Sequence, residues 1–334
     1  MIDNPDVLVI GAGIAGLMAA RRLTLAGLHV MVVEKNVTAG GRLSTVRLDP
    51  GLADSGAQFF TVRTREFQQE VDNWLEAELV YEWSRGWSDG SLLTTPVDGY
   101  SRYAARGGFS SLAFELAQEV DVQYSTRLVS LSRVDKWWQV RAESGAEWHC
   151  RAAILTSPVP QSLELLENGR IRLPDSDLLA LQSIQYAPCL SGLFRVEGQV
   201  NLPRRGALQR PGEAISWIAD NQQKGISPDA RVLTVHANRR ASERHWPLSD
   251  ASILSWMSGE IAPWLEAGTR ISGLRLDRWQ YAVPIEVYPA RCFVADLDGL
   301  LVFAGDAFDG PRLEGAVLSG WAAAEVTIHR IPPA

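Results

Sequence analysis

Four apolar residues, Val7 to Ile10, form an uninterrupted run of the kind that marks a strand buried on both faces. Glycines at 11, 13 and 16 break the run, and apolar residues then recur at helical spacing as far as Gly27. A second apolar run, Val30 to Val33, ends on Glu34. Thr64 to Leu79 predicts an amphipathic helix with Phe67, Val71, Trp74 and Leu75 on one face. Arg106 to Ser111 predicts the start of another helix that runs through Ala117. From Gln123 to Thr156 apolar and polar residues alternate around turns at Asp135-Lys136 and Ser144-Gly145, which predicts a β-meander. Gly299 to Asp306 predicts a strand entering a turn, and Glu314-Gly315-Ala316 opens a last helix through Ala324.

The first of these segments carries chemistry. Gly11 permits a tight turn from strand to helix, Gly13 lets a pyrophosphate approach the backbone, and Gly16 allows close packing of helix on strand. The helix start offers free N–H groups and the positive end of a dipole to phosphates. Glu34, 18 positions after Gly16, stands at a strand tip where it can accept hydrogen bonds from a ribose diol. Strand, glycines, helix, strand and acid in this order predict a dinucleotide site. Gly11, Ala12, Gly13, Ile14, Ala15, Gly16, Glu34 and Lys35 are its first contacts.

Composition narrows the class. A chain of 334 residues exceeds one core and suits two interleaved domains. A net charge of −7 and a pI near 5.4 leave no basic stripe for nucleic acid. Cys150, Cys189 and Cys292 are too widely spaced for a disulfide framework or a metal site, and are expected to be buried apolar thiols. The chain enters its first strand at once, without room for a signal peptide, and no apolar run reaches the ~20 residues that cross a bilayer. A cytoplasmic enzyme without a membrane partner is expected.

After Glu34 come Lys35 and then Gly40-Gly41-Arg42-Leu-Ser-Thr45, followed by Asp54-Ser-Gly56-Ala57-Gln58-Phe59-Phe60-Thr61. This resembles the E-x(5)-G-G-R-x-x-[ST] segment of the flavin-containing amine oxidase superfamily, whose dinucleotide is FAD. Adjacent glycines let the backbone pass a bulky cofactor, and Arg42 offers a fork of donors to a diphosphate. The resemblance implies further cofactor contacts at Gly41, Gln58, Phe59, the backbone of Val129, Gly305, Asp306, Glu314, Gly315 and Ala316. Gly305-Asp306 would reach the ribityl and phosphate region, and the helix opened by Glu314 would point at the pyrimidine end of the flavin. With no cysteine between Gly305 and Ala316, attachment is expected to be noncovalent. The implied fold is α/β (α+β), of the two-domain p-hydroxybenzoate-hydroxylase and amine oxidase type. A Rossmann-like FAD domain would take residues 1–62, 100–158 and 290–334, and a mixed-sheet substrate domain residues 63–99 and 159–289.

Within that superfamily the chain resembles the renalases. The residues that carry this are Gly56 to Thr61, Ser216 to Asn221, Leu233 to Ala237, Arg278 to Pro284 and the Gly305 to Gly320 segment. The resemblance implies an oxidase that takes hydride from the 2- or 6-dihydro isomers of NAD(P)H, with O2 as acceptor and hydrogen peroxide as product. Removal of hydride from a dihydropyridine leaves an aromatic pyridinium, so no general base is required. An amine oxidase instead takes the free amine, and usually has a lysine-held water and an aromatic cage. The chain has three lysines, Lys35, Lys136 and Lys224, and the last reads as a loop residue. Substrate-side candidates are Trp279 and Tyr281 on one face of a strand, His236 in the apolar run Val232 to Val235, and Asn221. Each also has a packing or turn reading. Oxidation of a small amine and a non-catalytic flavin-binding role remain the alternatives.

Overall fold

The computed structural model describes residues 4–91 and 95–331. Along the chain, β1 (Val7–Ile10) and β2 (Val30–Val33) flank α1 (Ile14–Leu25). A hairpin of β3 (Thr45–Leu48) and β4 (Gly51–Asp54) precedes α2 (Arg65–Glu76), and β5 (Val80–Ser84) pairs with β6 (Arg102–Ala105). Then come α3 (Phe109–Ala117), β7 (Asp121–Gln123), β8 (Leu128–Val134), β9 (Trp137–Ala142), β10 (Glu147–Cys150) and β11 (Ala152–Leu155). Helices α4 (Val159–Asn168) and α5 (Asp175–Gln182) lead to β12 (Gln185–Glu197), β13 (Ala207–Gln209) and β14 (Ile215–Asp220). The remainder is α6 (Asn221–Lys224), β15 (Arg231–Ala237), α7 (Arg239–His245), α8 (Asp250–Ile261), β16 (Arg270–Glu286), β17 (Phe293–Val294), β18 (Leu300–Phe303) and α9 (Leu313–Arg330).

These elements gather into two compact units. The first is built from Met1–Gly41, Ala113–Gln185 and Pro284–Ala334. Its sheet has the order β17-β18-β11-β1-β2-β7, parallel except at β17. Every residue of β1, β11 and β18 is buried, as expected of strands covered on both faces. Helices α1 and α9 touch backbone to backbone, since a Cβ on Gly320 would stand 2.2 Å from the Ala15 carbonyl oxygen. Helix α9 runs six residues beyond the expected Ala324, because neither glycine nor proline interrupts Glu325 to Arg330. The expected meander is present as the antiparallel sheet β10-β9-β8, with a bulge between Leu128 and Ser130 that leaves Val129 as the extra residue. Residues 159–185 lie in this unit, where the sequence placed them in the substrate domain. Asn168 Nδ2 donates to the Val129 carbonyl at 3.0 Å, and Gly169 lies against the Leu131 carbonyl.

The second unit is Arg42–Leu112 with Tyr186–Val283, so residues 42–62 and 100–112 belong to it rather than to the Rossmann-like unit, and its five-stranded sheet is antiparallel at the β13–β14, β14–β15 and β12–β15 pairings where a mixed sheet was expected. That sheet has the order β13-β14-β15-β12-β16. Alternation along β15 sorts its side chains. Leu233, Val235 and Ala237 pack with Leu190, Phe194 and Ile218 against Ile253, Leu254, Met257 and Ile261 of α8. Val232, Thr234 and His236 take the opposite face, where Val232 packs on Ala53 of β4. Helix α2 lies in this unit and buries Phe67, Val71 and Trp74 as its periodicity predicts, with the Thr64 hydroxyl accepting from the Phe67 N–H as cap.

Candidate active site

In the first unit, the glycine turn is shaped for a dinucleotide. Gly11 has φ +106°, which only glycine adopts without strain, and a Cβ on Gly16 would stand 2.0 Å from the Gly11 carbonyl oxygen. Above Gly13 there is open space, with no atom within 4 Å of where a Cβ would be, while Gly41 lies alongside it. Gly13 is the N-cap of α1 and supplies no capping side chain, although Ile14, Ala15 and Gly16 are buried. A buried helix start whose N–H groups lack a cap calls for an acceptor from outside the chain, and a diphosphate meets that need. Helix α9 begins in the same way, without a side-chain cap at Arg312 and with Glu314 and Ala316 buried. A Cβ on Gly315 would stand 2.1 Å from the Gly310 carbonyl oxygen, so the turn into α9 is as tight as that into α1. Gly305, with φ +138°, is held by the Ser319 hydroxyl, to which its N–H donates at 2.8 Å, and Asp306 follows it half-buried.

Glu34 is buried, and its carboxylate already has partners. One oxygen accepts from the Ala12 N–H at 2.9 Å, the other from the N–H and side-chain amide of Asn36 at 2.9 and 2.8 Å. A carboxylate has about four acceptor positions, so one remains for a ribose hydroxyl. Lys35, next to it, is exposed. These residues fit the adenosine and diphosphate parts of FAD.

In the second unit, the segment Asp54 to Gln58 collects most of the polar contacts. The Ser55 carbonyl accepts from His236 Nε2 at 3.1 Å and from Trp279 Nε1 at 3.1 Å. Two of the expected substrate residues therefore converge on one oxygen, although 181 and 224 positions separate them from it in sequence. With a carbonyl as partner, Nε2 of His236 carries the proton. Burial pushes the His236 imidazole down to about 4; the bond to Ser55 opposes this fall and the nearby Lys224 ammonium adds to it. His236 lies in a row across the sheet with Trp217 of β14 and Ser191 of β12. Trp217 Nε1 donates to Gln58 Oε1 at 3.2 Å, and Gln58 Nε2 donates back to the Asp54 and Gly56 carbonyls. The hydroxyls of Ser55 and Ser191, both on residues with no exposed surface, have no hydrogen-bond partner within the protein.

The other expected residues divide. Tyr281 packs edge-on against Tyr186 at 5.5 Å. Arg42 donates from Nη1 to the Ala282 carbonyl at 3.1 Å. Gln58 has its amide committed within the protein, and Phe59 belongs to an aromatic cluster with Trp83, Trp87 and Trp217. Asn221 is not a substrate contact in this geometry. It is fully buried, its amide donates to the Val232 carbonyl and Thr234 Oγ1 at 2.9 Å each, and its oxygen accepts from the Asp54 N–H. Lys224 departs most from its reading as a loop residue. It closes the short helix α6, and its side chain has no exposed surface. Its ammonium contacts Asp54 Oδ2 at 2.6 Å and the Gln58 carbonyl at 2.8 Å. Burial pushes its pKa down, against the pull of Asp54. No sequence signal singled it out: three of the 32 basic residues are lysine, and the other two, Lys35 and Lys136, are exposed. A cavity of about 430 Å³ opens beside Trp279, with Asp250, Arg275, Asp277 and Arg278 in its wall.

The fold and the cradle define a class. A model of NAD(P)-binding Rossmann-like domains matches residues 9–74, and a model of flavin containing amine oxidoreductases matches residues 75–328. The chain belongs to the flavin containing amine oxidoreductase family, as an FAD-dependent oxidoreductase. Within it the chain is similar to renalase of Mus musculus, at 24% identity over 94% of this chain and 96% of that one. Among solved structures, an Exiguobacterium sp. 255-15 protein described as a protoporphyrinogen oxidase has the same fold, with TM-score 0.73 and 15% identity over 97% of this chain and 99% of that one. A putrescine oxidase bound to putrescine aligns with TM-score 0.65 and 16% identity over 98% and 99%. Among the described residues, no helix is long and apolar enough to cross a membrane, and no cluster of His, Cys, Asp or Glu could hold a metal ion.

Proposed function

We propose that the protein oxidises the 2- or 6-dihydro isomers of NAD(P)H to NAD(P)+, with noncovalent FAD as hydride acceptor and O2, reduced to hydrogen peroxide, as final oxidant. The observation that carries this reading is the convergence of His236 and Trp279 on the Ser55 carbonyl. It fixes a flat indole and a neutral imidazole as rigid walls, and rigid walls orient a planar ring without taking a proton from it. Loss of hydride from a dihydropyridine needs nothing more. Similarity to renalase along nearly the whole chain supports the same substrate class. The backbone at Val129 would meet the adenine, Arg42 the diphosphate, and Tyr281 would extend the wall formed by Trp279. Gln58, with its amide already held by Trp217 and the Asp54 and Gly56 carbonyls, and Phe59 after it would border the cofactor.

Oxidation of a small amine finds less support. Lys224 is tied to Asp54 and Gln58, and Lys35 and Lys136 are exposed. The rings of Phe59, Trp83, Trp87 and Trp217 pack on one another at 4.6–6.0 Å between centroids, as a core and not a cage.

The deciding experiment is anaerobic mixing with borohydride-reduced NAD, which contains several dihydro isomers, while absorbance is followed near the flavin maximum at roughly 450 nm. Fast bleaching is expected with the 2- or 6-dihydro isomers, and slow bleaching with ordinary 1,4-NADH and monoamines. Rapid bleaching by a simple amine, with none by the dihydro isomers, would transfer the protein to the amine oxidases.

A further inference from the structure

The ion pair of Lys224 and Asp54 has neither side chain exposed. Buried pairs of this kind are often matched or bettered in stability by apolar residues, so stability alone does not account for one. Its geometry is specific. The Lys224 ammonium holds the side chain of Asp54 and the carbonyl of Gln58, the two ends of a five-residue segment. The rings of Trp83 and Phe109 lie 4.7 and 5.4 Å from the ammonium. The other Asp54 oxygen accepts from Thr45 Oγ1 at 2.6 Å and from the Phe109 N–H at 2.9 Å, which anchors that end to the start of α3. Between the clamped ends lie Ser55, Gly56 and Ala57. Gly56 leaves no slack, because a Cβ there would stand 2.1 Å from the Arg42 carbonyl oxygen.

We propose that Lys224 is a positioning residue, which clamps Asp54 to Gln58 and so fixes the direction of the Ser55 carbonyl and, through it, the His236 imidazole and the Trp279 indole. The functional consequence rests on the reading that these two side chains orient the substrate. A lysine suits the task because its compact ammonium fits between the two acceptors and the rings of Trp83 and Phe109, where a planar guanidinium is bulkier.

The test uses the full-length protein with FAD bound. Lys224→Met with Asp54→Asn removes both charges together and leaves no buried ion unpaired. Lys224→Arg keeps the charge but not the compact ammonium, and serves if the double variant fails to fold. The expected result is a folded, yellow protein whose flavin reduction by borohydride-reduced NAD slows by about tenfold to a hundredfold, the cost of a misplaced wall. The His236 ring-nitrogen signals in an NMR spectrum at neutral pH, assigned with His236→Asn, should also move from their wild-type positions. A folded variant with unchanged His236 signals overturns the clamp, whatever its rate. If His236 signals move but His236→Ala and Trp279→Ala reduce flavin at the wild-type rate, the clamp stands and the substrate-wall reading falls.

Discussion

The carboxylate of Glu34 accepts the Ala12 N–H inside the glycine turn as well as both donors of Asn36, so it shapes the turn in addition to the ribose contact proposed for it. Glu34→Ala should therefore cost the apoprotein about 1.5–3 kcal/mol, the range for hydrogen bonds to a charged group, and should weaken FAD binding as well. Urea unfolding of apoprotein and FAD titration measure the two effects separately; an unchanged apoprotein midpoint would leave Glu34 with the ribose alone. His236 gives stability a pH dependence of definite sign. Its folded value, about 4, lies below the ordinary histidine value of 6.5. The unfolded chain therefore takes up a proton that the folded chain refuses, and stability falls as pH is lowered from about 6.5 towards 4. The loss should be on the order of 1–3 kcal/mol, and His236→Asn should flatten that limb of a plot of unfolding midpoint against pH. A parallel limb in the variant would assign the dependence to other groups.

At the scale of elements, the closeness of α1 and α9 is an exacting contact. Gly320→Val would press its side chain against the Ala15 carbonyl and should destabilise by about 1–3 kcal/mol or more, with a loss of FAD affinity as both helix starts shift. Wild-type affinity in a destabilised Gly320→Val protein would separate the helix contact from the cofactor site. The same elements show what a reader of the chain can and cannot recover. β1, α1, β2 and Glu34 are legible because every requirement is met within 34 residues: glycines where φ or contact demands them, and an acid at a strand tip. The turns of the β8–β10 meander are legible for the same local reason. The convergence on Ser55 is not, because it joins positions 55, 236 and 279, and no spacing encodes a sheet laid over a distant segment. Asp220 to Gly225 reads as a polar turn from composition. It is instead a capped turn of helix, with Asp220 accepting from Gln222 and Gln223, and its buried face carries Asn221 and Lys224.

For the molecule as a whole, noncovalent FAD implies measurable linkage. Acid precipitation should leave the flavin in the supernatant. The buried Cys150 and half-buried Cys189 thiols, both pushed up to about 12 by burial, are poor nucleophiles for attachment. Adding FAD at a hundred times its dissociation constant should raise the unfolding free energy by about 2.7 kcal/mol, visible as a concentration-dependent melting temperature. Flavin that stays with the precipitated protein would refute noncovalent binding. The order of strands in the first unit has a bearing on biosynthesis. β1 emerges first, yet its neighbour β11 is followed only after some 145 residues by β18, the strand that covers its other edge. At roughly 5–20 residues per second, a ribosome takes on the order of 7–30 s to go from Leu155 to Phe303. Throughout that interval the nascent chain carries Ala152 to Leu155 as an apolar strand with an open edge, and it depends on chaperones more than a protein whose sheet closes in the order it is made.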